Sequence, residues 1–170
     1  MNTAELLADG YGRIQEVVHE AVDGLTADEL AESPDRASNT IAWLVWHLTR
    51  VQDDHVAEAA GREQVWTAEG WDKRFALPFR SASTGYGHGP GQVAKVRVSD
   101  PALLTGYYDA VHEASLSYLE QLTDDDLDRV VDERWDPPVT LGVRLVSVIS
   151  DDLQHAGQAA YLRGILLRRR

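Results

Sequence analysis

The chain contains no cysteine, which excludes disulfides, thiolate metal sites and a thiol nucleophile of its own. Any metal it holds must be bound by nitrogen and oxygen. Lysine is nearly as scarce, since only Lys73 and Lys95 among the 16 basic residues are lysine, and 28 acidic residues outnumber them all. The formal charge of −12 repels a phosphate backbone, whose binding rests on cations that neutralise phosphates, so nucleic acid is not an expected partner. Long apolar runs are also missing. No stretch approaches the roughly 20 apolar residues of a membrane span, and the start MNTAELLADGYGRIQ lacks the basic head and apolar centre of a signal peptide. A cytoplasmic location is the expectation.

At 170 residues and 44% hydrophobic, the chain suits one domain over 1–170 with a single core. Its apolar residues recur at spacings of three and four. Leu6, Leu7, Tyr11, Ile14, Val17, Val18 and Val22 mark a first helix from Thr3 to about Gly24. Thr26 with Glu29 three residues later is a capping-box pattern, so LTADEL reads as a short helical turn. A second helix, capped by Asn39 or Thr40, carries Trp43, Leu44, Trp46, Leu48 and Val51 and stops after Ala60 at Gly61.

From Arg62 to Ser99 no period is sustained, and the glycine-rich GYGHGPG at 85–91 falls inside this long loop, a kind of segment that is more often functional than idle. Val93 to Val98 alternates weakly and reads as loop or a minor extended piece. Asp100 and Pro101 open a third helix through Tyr107, Tyr108 and Val111 to Leu122. LTDDDL at 122–127 then repeats the pattern of LTADEL. A loop containing Pro137 and Pro138 leads to Thr140 and a fourth helix ending near Gly164. The chain thus reads as two similar halves, and the predicted fold is an all-α four-helix bundle, in which metal sites are commonly built from facing helices.

The chemistry-bearing residues sit on the second and fourth helices. Asp151 and His155 are four apart, which places them on one face a turn apart and lets both reach one ion. His47 shares the core-facing side of its helix with Trp43, Leu44, Val51 and Asp54 at about 100° per residue. A lone buried histidine is usually a hydrogen-bonded core residue. Two histidines and a carboxylate at matching places in two halves are harder to explain that way, and three protein ligands leave positions open for water or substrate. Asp54 could orient His47 or approach the metal, Asp152 could turn inward, and Gln158 could support His155. His88 and Tyr86 could line a pocket mouth. His55 points about 80° away from His47 and, with His19 and His112, reads as surface or core filler. Trp43, Trp46, Tyr107 and Tyr108 read as core, and Arg168–Arg170 as a solvated end.

The segments NTIAWLVWHLTRVQDDHV and DDLQHAGQAAYLRG resemble the DinB/YfiT-like superfamily, in particular its DUF664-type actinobacterial members, and the resemblance covers nearly the whole chain. It implies a helical bundle that binds a divalent metal through one histidine on the second helix and a His-x-x-x-His or Glu-x-x-x-His pair on the last. The metal ligands it implies are His47, Asp151 and His155, with zinc first and nickel next as the ion. Aspartate in place of histidine or glutamate is a departure. Being a methylene shorter than glutamate, it requires closer helices, a bridging water or a lower affinity. The resemblance also implies a thiol transferase or isomerase that uses mycothiol or bacillithiol on a small electrophile. Arginines such as Arg50, Arg144 or Arg163 could receive the thiol's polar groups, and the sequence does not choose among them. The arginine-rich, GC-biased composition points to mycothiol. The alternative is a non-enzymatic metal-binding stress or sensor module acting as a homodimer.

Overall fold

The computed structural model describes residues 1–169. Four long helices carry the fold: α1 (Thr3–Val22), α3 (Ile41–Ala60), α7 (Ala102–Leu119) and α8 (Leu141–Leu167). Each packs on two others, α8 against α1 and α3, and α7 against the same pair. The core between them is aliphatic and aromatic, with Tyr11, Ile14 and Val18 of α1, Leu44 and Leu48 of α3, Leu104, Tyr107 and Val111 of α7, and Leu141, Leu145 and Val148 of α8 all buried. Among the described residues no helix is long and apolar enough to cross a membrane.

Local chemistry fixes the ends of these helices. Asn2 caps α1 in a reciprocal box with Glu5, whose N–H donates to Asn2 Oδ1 at 2.8 Å. Thr40, not Asn39, caps α3 by accepting from Trp43 N–H at 3.1 Å, and Gly61 ends that helix at φ 65, a left-handed conformation that costs glycine little. LTADEL forms α2 (Ala27–Leu30) through the Thr26–Glu29 box. The matching LTDDDL makes a single 3-10 turn, Asp124–Asp128, closed by Thr123 and Asp126.

Two expectations are corrected. The segment 62–99 is not one irregular loop, because it contains α4 (Val65–Ala68), α5 (Trp71–Phe75) and α6 (Pro90–Val93). Each has four or five residues, too few to show a helical period, and each is held by burying Val65, Trp66, Trp71, Phe75 or Val93. The loop around Pro137 and Pro138 is the tip of a small antiparallel hairpin, β1 (Val130–Asp132) with β2 (Val139–Thr140). Strands of two and three residues leave no room for an alternating pattern. Val93–Val98 forms no strand; it closes α6 and turns. The third helix ends at Leu119, short of Leu122, and the fourth runs on to Leu167, past Gly164.

Asp152 is a cost that this core carries. It lies fully buried among α1, α7 and α8, and neither carboxylate oxygen has a hydrogen-bond partner, nor do the hydroxyls of Tyr11 and Tyr108, whose ionisation it opposes. Burial first, and then the charge of Asp151, push its carboxyl well above the usual carboxylate range. A raised acid pKa means that the folded chain keeps a proton the unfolded chain releases above about pH 3.9, so this group lowers stability as pH rises from there. Asp152→Asn preserves the shape and removes the titration. The stability advantage of the variant over the parent, from urea midpoints, is therefore expected to widen between pH 4 and pH 7; an advantage independent of pH would contradict this account.

Candidate metal centre

Where α3 meets α8 the two helices run antiparallel, so that the amino-terminal half of α3 faces the middle of α8. His47 is thereby brought against Asp151 and His155, and one ligand atom from each of the three lies within 4.8 Å of the other two. The His47 and His155 rings sit 4.9 Å apart at 72°, and His155 Nε2 is 3.7 Å from Asp151 Oδ1. The helices approach closely enough for the shorter aspartate side chain to reach the cluster.

The state of each nitrogen follows from its partners. His47 Nδ1 lies 2.5 Å from the carbonyl of Thr84. A carbonyl only accepts, so Nδ1 carries the proton and Nε2 keeps its lone pair for a metal. His155 Nδ1 likewise donates to Gln158 Oε1 at 3.2 Å, which turns its Nε2 toward Asp151. Oxygen acceptors behind imidazole ligands fix tautomer and ring orientation in this way at metal sites. Trp43 adds a wall, stacked on His47 at 4.5 Å and edge-on to His155 at 6.2 Å. Burial pushes the His47 pKa down, with the Thr84 hydrogen bond opposing it, so the ring is neutral and competent to ligate at neutral pH.

A divalent cation fits these residues. Asp151 Oδ2 is shielded from solvent and has no hydrogen-bond partner, an arrangement that costs free energy unless something positive meets it. Two imidazole nitrogens and one carboxylate form a donor set suited to such an ion, with positions to spare.

The other predicted residues fall apart into distinct roles. Asp54 accepts from Gln64 Nε2 at 2.6 Å and ties the end of α3 to the segment after it, outside the cluster. Asp152 turns inward, as allowed for, but into the core beneath α1 and α7. His88 packs on Trp46 and Phe79 and accepts from Trp43 Nε1 at 3.3 Å. Tyr86, by contrast, stands at the mouth of a cavity of about 420 Å³ that leads to His47 and Asp151. Among the arginines, Arg50 is fully buried and committed to Tyr107 and the carbonyls of Ser81 and Ser83, and Arg163 is bonded to the carbonyl of Asp23. Only Arg144 of the three lines the cavity. His19 pairs with Asp109, and His112 stacks on Tyr108 in the core.

Three contributors escaped the sequence. Thr84 acts through its backbone carbonyl, which leaves no residue signature. Gly85 has φ +93, and a Cβ there would lie 2.9 Å from both His47 Nδ1 and Trp46 Cζ3; the glycine-rich run hinted at it without naming the position. His55, taken as filler, lines the same cavity two turns beyond His47 and accepts from Arg144 Nη1 at 2.5 Å through its Nδ1.

These contacts make the loop a support for the ligand. Gly85→Ala would strain the backbone and force the loop off His47, releasing the Thr84 hydrogen bond. A drop in divalent-metal affinity of about 10–100-fold is expected from losing such a support, with helical content unchanged, and Gln158→Ala should act in the same direction through His155. Unaltered affinity in a metal titration of Gly85→Ala would show that the loop does not set the ligand.

Comparison with known proteins agrees with this architecture. No curated protein matches the chain. A crystal structure described as a conserved protein from Enterococcus faecalis is similar over 98% of this chain and 98% of its own, with 32% identity and a TM-score of 0.92. The sequence profile of the DinB superfamily matches residues 11–159, most of the chain, and the protein therefore belongs to the DinB superfamily.

Proposed function

We propose that the chain is a divalent-metal-dependent transferase or isomerase that acts on a small electrophile with a low-molecular-weight thiol, mycothiol or bacillithiol. On this reading the four long helices form a four-helix bundle of the DinB/YfiT-like type, built around zinc or, failing that, nickel. One observation carries the reading: two imidazoles and a carboxylate converge within 4.8 Å at one end of a solvent-open cavity of about 420 Å³. A structural site would be closed by a fourth side chain.

When bound, the metal would supply acidity, since coordination lowers the pKa of a thiol and makes a thiolate accessible at neutral pH. That chemistry suits a protein without cysteine. The chain's own residues do the rest. His47 and His155 present their Nε2 atoms, fixed by Thr84 and Gln158, and Asp151 supplies the negative charge that favours a divalent ion. Val51, Val139 and Val148 line an apolar passage that excludes water from one side of the reactants.

A second reading, a metal-binding module that works as a homodimer, is favoured by a row of exposed apolar residues on α8, namely Val143, Val146, Leu153 and Tyr161. The two readings differ in what a thiol does at the metal. In cobalt-substituted protein, mycothiol or bacillithiol is expected to produce a sulfur-to-metal charge-transfer band that is absent in His47→Ala. A spectrum unchanged at saturating thiol would reject the transferase reading and favour the module.

The ligand set has its own test. His47→Ala, Asp151→Ala and His155→Ala are each expected to lose most bound divalent metal by elemental analysis while keeping their helices, because the apolar core is independent of the site. Asp151→Glu should retain metal, and Asp151→Asn should weaken binding markedly, since it keeps the shape but removes the charge. Full occupancy in two of the three alanine variants would remove the site from consideration.

A further inference from the structure

The cavity has two chemically different ends. One wall is the face of α3 that carries His47, Val51 and His55; the other is the face of α8 that carries Arg144, Val148 and Asp151. Because the helices are antiparallel, His47 opposes Asp151 at one end and His55 opposes Arg144 at the other. Seven residues separate Arg144 from Asp151, a rise of about 10 Å along the helix. Between the two ends the walls are mostly apolar, with Val51, Val139, Val143 and Val148 beside Ser147.

The far end is cationic in a protein whose net charge is −12. Arg144 is nearly buried. It donates through Nη2 to Asp132 Oδ2 at 3.0 Å and through Nη1 to His55. Arg134 of the hairpin binds the same carboxylate through Nε and Nη2, each at 2.9 Å. Those hydrogen bonds, chiefly from Arg134, hold Asp132 far below the usual carboxylate range, so it stays ionised. Among the residues that line this end, two guanidinium groups face one carboxylate, an excess of one positive charge that Glu58, outside the lining, partly offsets at Arg134. His55 adds a neutral donor: its Nδ1 accepts from Arg144, so its proton sits on Nε2. Asp54 and Glu58 act on His55 from the outer side of α3 but are not part of the cavity lining. Trp135, largely exposed on the hairpin, stands at the rim with Tyr86.

We propose that this end is a subsite for the carboxylate of a small, otherwise apolar monoanion, held by Arg144, Arg134 and His55 while its body lies along Val51, Val139 and Val148 and its other end reaches His47, Asp151 and His155. The substrate class of the proposed reaction is thus an aliphatic or aromatic carboxylic acid whose reacting atom lies within about 10 Å of the carboxylate. Each guanidinium has more N–H donors than it spends on Asp132 and His55, and the remaining charged donors suit a carboxylate; one surplus charge is balanced by a monoanion better than by a dianion. The assignment of the reacting end rests on the metal reading above; the anion subsite does not.

Calorimetric titration of metal-loaded protein with 3-phenylpropionate and with its neutral amide tests this. The carboxylate is expected to bind about tenfold or more tightly than the amide, as charge-assisted hydrogen bonds allow, and phenyl phosphate no more tightly than the carboxylate. Arg144→Gln should abolish the preference with metal content unaltered. Arg134→Gln, at a largely exposed position whose loss leaves the Arg144–Asp132 pair intact, should weaken carboxylate binding several-fold, and its result decides the matter if Arg144→Gln does not fold. In metal-depleted His155→Ala the preference should persist. Its loss there would mean that the carboxylate ligates the metal, which overturns the subsite and leaves the metal reading standing. A preference that survives in both arginine variants, or tighter binding of phenyl phosphate, would also overturn it. Protein that takes up no metal yet retains the Arg144-dependent preference would sink the metal reading and support the subsite.

Discussion

Arg50 and Asp53 lie one turn apart on α3, both fully buried, with Nη1 and Oδ2 3.5 Å from each other. Such a pair is costly to desolvate unless every remaining donor and acceptor is used, and here they are used on the backbone of the segment that follows. Asp53 accepts from the N–H groups of Val65 and Trp66 and from the hydroxyl of Tyr107, at 2.8–2.9 Å. Arg50 donates to the carbonyls of Ser81 and Ser83. The two residues therefore pin both the start and the far end of the 62–84 excursion to one turn of α3. The next carbonyl along, that of Thr84, falls on His47 as a result. The candidate metal centre inherits its order from an ion pair that never touches it.

This arrangement explains why a segment so rich in glycine can set a ligand. Short helices with one or two buried aromatic residues have little stability alone, and α4 and α5 are held by packing Trp66 and Phe75 against Tyr107 and by the guanidinium of Arg50 over the Trp66 ring at 5.0 Å. Gly85 then allows the chain to pass within contact of His47 and Trp46, where any side chain would collide. The excursion works as a bracket bolted to α3 at two places, and its function is to present one carbonyl.

How far the sequence disclosed this depends on what kind of signal each feature leaves. The four long helices and the caps at Thr40 and Thr140 were legible because a 3.6-residue period and a capping threonine are local in sequence, whereas α7 begins at Ala102 with Pro101, not Asp100, at its cap position. That His47, Asp151 and His155 meet was legible because helical spacing and family resemblance pointed to the same three positions. The hairpin around Pro137 was not, because strands this short carry no period. Asp53 was passed over for Asp54: adjacent carboxylates differ by only about 100° of rotation, and the contacts that separate them come from residues 10–13 positions away. His55 was misread for a related reason. An angle of 80° on one helix turns a residue away from a point, but a cavity is a trough, and its far end is set by the hairpin that closes over it.

The same 100° separates Asp151 from Asp152 on α8, and the two carboxylates meet opposite fates. Asp151 faces α3, where histidine nitrogens and an ion can compensate it; Asp152 faces α1 and α7, where it is buried with two tyrosine hydroxyls that have no partner. Natural sequences tolerate uncompensated polar groups mainly near sites of function, where local consistency yields to another requirement. The placement here fits that rule, since Asp152, near Tyr108, is the neighbour of Asp151 on the helix that presents two of the three candidate ligands. Charge on Asp151 also raises the cost of ionising Asp152, so the buried member of the pair keeps its proton.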